Sequence, residues 1–262
     1  MSSGIWSTSV GTARTEFTMQ LRRKSVWIAP IAASVLIYSW MGRPWMFDHT
    51  LPASVTIGNW AIMCNRFLPV VFGVLLADRL PRDRRLQVTE VLDALPASAG
   101  GRLTGKFLGS ALATATPLFL IYLLGVASIF ATVHDPLFLL LAPLSFVTIN
   151  LPGLLFVAAF SIAIPAILWV PLYQFLFVGY WFWGNLLSPS YGIPTLSNTW
   201  LTPLGNVAAS GFFSTHAFQI VTISGEHVSR WEGALSIVLL LAGGTVALLM
   251  ANGYLSWQRA HG

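Results

Sequence analysis

Gly100-Gly-Arg-Leu-Thr-Gly105-Lys106 matches the G-x-x-x-x-G-K run that cradles nucleotide phosphates, but Phe107 stands where the magnesium-binding Ser or Thr belongs. No strand-like run precedes the match, no apolar strand ending in Asp supplies a second magnesium ligand, and Lys106 opens an apolar stretch. We read it as a decoy, so the chain carries no ATPase motif of its own. The same residues offer something else: Gly105, Gly109 and Ala113, four apart, present a small-residue face on which another helix can pack closely. An acid–base or metal site would have to come from His134-Asp135, or from His216 with Glu226 and His227, and no ligand spacing gathers either set. The expectation is therefore no catalytic residue, no bound cofactor and no metal. Arg66, beside Asn65, is the one charge set in the middle of an apolar run, where a central arginine costs about 2.5–3.5 kcal/mol. It must face protein or water, either on a translocation path or bonded to backbone carbonyls.

The elements that would position these residues are membrane helices. Of 262 residues 55% are hydrophobic and only 9% charged, against roughly a quarter in soluble domains. Cys64 is the only cysteine and lies in an apolar segment, which excludes an intrachain disulfide and a cysteine metal cluster. Apolar stretches lie near residues 25–42, 57–77, 106–130, 138–163, 168–187 and 233–255. Leu137 to Leu187 has no charge and is too long for one helix; Pro165 and Pro171 place its turn near Ala166–Val170. The fold class is thus an all-α membrane protein, a single domain over 1–262 with six transmembrane helices. Arg14, Arg22, Arg23 and Lys24, the six basic residues from Arg79 to Lys106, and Arg259 all fall on one side; Arg43 and Arg230 fall on the other. The positive-inside rule puts both termini and the loop after the second stretch in the cytoplasm, and makes 188–230 the large external loop. A net charge of +5 spread in this way is no argument for nucleic acid as a partner.

Three segments outside the spans have patterns of their own. In residues 1–24, Trp6, Val10, Ala13, Phe17 and Leu21 keep a helical stripe with the basic residues at its membrane end, as in an interfacial helix; a frayed basic tail is the alternative for the first ten residues. In 82–95, Val88, Val91, Leu92 and Leu95 share one face, Glu90 and Asp93 lie on the other, and Pro96 ends the helix. Such a helix can rest on headgroups, dock in a partner's groove, or simply be solvated; its acidic face argues against anionic headgroups. The 188–230 loop, with Pro189, Pro194 and Pro203 around apolar Phe212 and Phe213, suits short re-entrant helices, and Tyr180-Trp181-Phe182-Trp183 suits an aromatic belt.

In the order of its parts the chain resembles the membrane subunit of a type 2 ATP-binding-cassette (ABC) exporter. The resemblance rests on Glu16-Phe-Thr-Met-Gln-Leu-Arg-Arg-Lys24 before the first span, Asp83-Arg-Arg-Leu-Gln-Val-Thr-Glu-Val-Leu-Asp-Ala-Leu-Pro-Ala-Ser98 between the second and third, and Leu103-Thr-Gly-Lys106 after it. It departs at the turn between the fourth and fifth spans, which has no basic residue. What the resemblance implies is a permease subunit in a bacterial plasma membrane, paired with a second permease, identical or related, in contact with membrane lipid. A separate cytoplasmic ATPase would bind ATP and magnesium. The segment 82–95 would be the coupling helix, with Arg82, Asp83, Val88, Glu90, Val91, Leu92 and Leu95 contacting that ATPase; Asn65 and Arg66, by their own place in the second span, are the candidates for a translocation path. An apolar, aromatic-rich bundle suits an amphipathic drug, lipid or peptide as cargo. The rival readings are an intramembrane enzyme and a non-transporting membrane scaffold.

Overall fold

Ten residues in a row, Thr56 through Asn65, are buried in the computed structural model, so the helix that carries them is wrapped on every side and not along one stripe alone. The structure describes residues 2–41, 51–85, 99–187, 192–197, 199–215 and 228–261, which form helices and their connections with no strand among them. In chain order the helices are α1 (Ser2–Leu21), α2 (Lys24–Met41), α3 (Ala53–Leu76), α4 (Arg79–Arg85), α5 (Ala99–Val133), α6 (Leu137–Ser145), α7 (Leu151–Ala163), α8 (Val170–Leu186), α9 (Asn206–Phe213) and α10 (Arg230–His261). A π turn, Phe146–Asn150, joins α6 to α7, and a 3-10 turn, Ile164–Ala166, follows α7.

Helices occupy all six apolar stretches. Among the described residues four segments are long and apolar enough to cross a membrane: α3 running on into α4, α5, α6 through the 3-10 turn, and α10. With 18 and 17 residues, α2 and α8 are shorter, reaching about 27 and 26 Å at 1.5 Å per residue against a hydrocarbon core of about 30 Å. The expected break before α8 falls at Ile167–Trp169. Pro165 lies in the 3-10 turn and Pro171 in the first turn of α8, where a missing N–H leaves no helical hydrogen bond unmade.

The buried helix α3 is the core. Trp60, Leu68 and Phe72 are fully enclosed on it, with Tyr122 of α5 and Phe138 of α6 among their neighbours in one apolar cluster. A hydrogen-bond chain crosses that cluster: Trp60 Nε1 donates to Tyr122 O at 3.0 Å, and the Tyr122 hydroxyl meets Ala142 O at 3.1 Å and Ser145 Oγ at 2.6 Å. The polar ends of Trp60 and Tyr122 are thus satisfied between helices, as an apolar surround requires. The outer faces are apolar as well. Leu112 and Leu124 of α5, Phe175 of α8 and Met250 of α10 are all more than half exposed, a surface that hydrocarbon rather than water would cover.

The described part of the segment expected to form the long loop turns inward. Thr202 to Ala209 are buried, and α9 packs against α3 and α10. Gly205 opens it at φ 78°, with Ile149 Cγ2 only 2.7 Å from where a Cβ would stand, so the position needs both the left-handed backbone and the missing side chain. Ser236 Oγ donates to Trp200 O at 2.6 Å and holds the loop to α10. At the start of α10, Glu232 Oε2 accepts from Ser229 N at 2.7 Å and Ser229 Oγ at 2.8 Å, half of a capping box. Residues 216–227 of the expected loop lie outside the described residues.

Candidate functional site

Glu16, Gln20, Arg79 and Ser110 meet where α1, α4 and α5 converge. Arg79 Nη1 donates to Glu16 Oε1 at 3.4 Å, and its Nη2 donates to Gln20 Oε1. Gln20 Nε2 donates to Glu16 Oε1 at 2.8 Å and to Ser110 Oγ at 3.3 Å, while Ser110 Oγ donates to Glu16 Oε1 at 3.3 Å. Three donors from three helices therefore converge on one carboxylate oxygen. The Arg79 and Glu16 side chains are only 9% and 8% exposed, so each would be a costly isolated charge and each is retained by the other. Arg23, just past α1, stands near this knot. Burial lowers its pKa from the ordinary value and Arg82 lowers it further, against the opposing pull of Glu16 and Asp78.

The local sequence explains why α1 comes so close. From Thr8 to Leu21, Ser9, Glu16 and Gln20 are the buried residues of α1, while Val10 is 63% exposed and Met19 is exposed as well. The polar face of α1, and not the stripe of Val10, Phe17 and Leu21, thus turns inward. It can do so because α5 offers no side chains there: a Cβ on Gly105 would come within 2.6 Å of Ser9 O, and one on Gly109 within 2.5 Å of Ala13 O. Ala113, one turn on, is fully buried. At its far end α1 is pinned to α2 by Trp27 Nε1, which donates to Leu21 O at 2.8 Å.

A second polar junction sits at the middle of α3. Asn65 Nδ2 donates to Ile149 O at 2.8 Å, with Leu204 O at 3.3 Å and Pro203 O at 3.4 Å also in reach. Asn150 Nδ2 donates to Asn65 Oδ1 and to Ala61 O, both at 2.9 Å. The π turn presents Asn150 and the Ile149 carbonyl to α3, and Gly153 leaves room for the inserted loop, since a Cβ there would lie 2.2 Å from Pro203 O. Non-helical backbone is tolerated at that depth because side-chain amides take up its carbonyls. Asn65 is wholly buried in this bonding, whereas Arg66 beside it is half-buried, and its backbone carbonyl accepts from Trp181 Nε1 at 2.9 Å. Trp181 is accordingly enclosed and is not part of an outward belt; Tyr180, Phe182 and Trp183 are the exposed members.

Of the residues expected to contact an ATPase, Arg82 and Asp83 fall in α4, with Arg82 exposed. Val88, Glu90, Val91, Leu92 and Leu95 lie outside the described residues, as do His216, Glu226 and His227. Among the described residues no group of three His, Cys, Asp or Glu side chains gathers as a metal site would. The Gly100–Lys106 run lies inside α5, where its N–H groups follow the helix axis instead of lining a loop. Sequence reasoning missed the knot itself. Its signal was a Glu and a Gln four apart on the side of α1 away from the apolar stripe, with an arginine at the end of an apolar run. Comparison with protein-family models found no match, and neither did comparison with curated proteins.

Proposed function

We propose that the chain is the permease subunit of a type 2 ABC exporter, crossing the membrane six times and driven by a separate cytoplasmic ATPase. The observation that carries this reading is the Glu16–Gln20–Arg79–Ser110 knot. It joins the helix before the first span, the start of the second loop and the entry of the third span into one body, directly next to the segment 82–95. A push on that segment by an ATPase reaches α4 first. Through Arg79 it passes to α1 and α5, and through the core helix α3 to the remaining helices. In this reading Arg82, Asp83, Val88, Glu90, Val91, Leu92 and Leu95 form the contact, and the chemistry of hydrolysis belongs to the partner.

Six crossings and the orientation are tested by cysteine labelling on a Cys64→Ala background. The external probe is Ile193→Cys, at an exposed position. If α2 and α8 cross along with the four longer segments, a membrane-impermeant maleimide labels Ile193→Cys in intact cells and leaves Ser98→Cys unlabelled. If only the four longer segments cross, both positions share a side and label alike. That result, or the reversed pattern, takes the loop away from the ATPase or undoes the six-span fold, and the proposal fails.

A further inference from the structure

An apolar groove of about 860 Å³ runs beside the contact of α1 with α5. Val10, Arg14 and Phe17 form its α1 wall, and Leu108, Leu112 and Phe119 lie along its floor on α5. The floor runs from Thr104 to Phe119, which at 1.5 Å per residue is about 22 Å. One leaflet of a bilayer, headgroup region included, is about 20–22 Å thick. Arg14 is exposed on the same helical face as Val10 and Phe17. Among the described residues no carboxylate pairs with Arg14.

We infer that this groove holds one acidic phospholipid of the membrane, its acyl chains along Leu108 to Phe119 and its phosphate on Arg14. A long apolar trough with a single cation in its wall matches an amphiphile whose head is anionic and whose body is hydrocarbon. A second copy of the chain fits worse. A two-fold contact through this face would set Arg14, and with it exposed Arg22 and Lys24, near their own copies, and like charges in an interface oppose association. The inference needs only that α5 lies in a membrane and does not depend on the transport reading.

The test is native mass spectrometry of the detergent-purified chain with phosphatidylglycerol or phosphatidylcholine of identical acyl chains. Wild type should retain the first phosphatidylglycerol at least tenfold more than phosphatidylcholine. Arg14→Lys should keep that preference and Arg14→Glu should bring it within twofold; both changes are at an exposed position and leave the fold intact. Leu112→Trp, also at an exposed position, fills the floor and should lower retention of both lipids about tenfold. Equal retention by wild type, an unchanged preference in Arg14→Glu, or a Leu112→Trp protein that loses a dimer while keeping its lipid would overturn the assignment.

Discussion

Arg79→Met should lower the thermal midpoint of the detergent-solubilised protein by on the order of 10 °C. The substitution leaves Glu16 buried beside Gln20 and Ser110 with its cation gone. Breaking one side of a buried ion pair costs about 3–5 kcal/mol, and a protein of this size loses about 2–4 °C per kcal/mol. Glu16→Leu should cost a comparable amount through the orphaned arginine. Replacing Glu16, Gln20 and Arg79 together by Leu, Leu and Met should recover most of the loss, because an apolar set removes the desolvation penalty along with the attraction. Tryptophan-fluorescence melting curves of the variants measure all of this. A midpoint for Arg79→Met within 2 °C of wild type would mean that the knot holds nothing together.

The second large effect is expected at Leu92. In the proposed function its place on the apolar stripe of 82–95, with Val91 beside it and Glu90 on the opposite edge, would make it an anchor for a groove on a cytoplasmic partner. An anchor at an interface centre commonly accounts for 2 kcal/mol or more, about a 30-fold change in affinity, and a carboxylate forced into an apolar groove adds to that. Leu92→Asp should therefore strip the ATPase from the purified complex while membrane insertion and yield stay normal. Arg102→Gln, half-buried on α5, should leave association within a few-fold of wild type. Association is read by the ATPase recovered per permease. A Leu92→Asp protein that keeps its ATPase would remove 82–95 from the interface.

How much of this was legible beforehand depends on how local each signal is. The apolar stretches and the break before α8 are written in runs of Leu, Val and Phe and in two prolines, and helices stand at those places. The spacing of Gly105 and Gly109 was also visible, but their neighbour was not. Nothing local says that α1 turns its Ser9, Glu16 and Gln20 face to α5, because its stripe of Val10, Phe17 and Leu21 predicts the opposite burial in any water-soluble fold. Arg66 drew attention as a charge, whereas the hydrogen-bonded hub is its neighbour Asn65. That hub joins residues 84 to 139 positions apart, and such pairings leave no periodic trace. The π turn was equally silent, since Phe146–Asn150 reads as ordinary helix until Asn150 is seen reaching α3.

The central claim is that a separate ATPase works through this chain, and isolation of the chain from its own membranes in mild detergent tests it most directly. Purified by a tag on the chain, the wild-type material should contain a second, soluble-type subunit in stoichiometric amount and hydrolyse ATP in a magnesium-dependent way. Material from the Leu92→Asp strain, equal in permease content, should do neither. A wild-type chain that purifies free of any ATPase, with no ATP hydrolysis above background, would contradict the account.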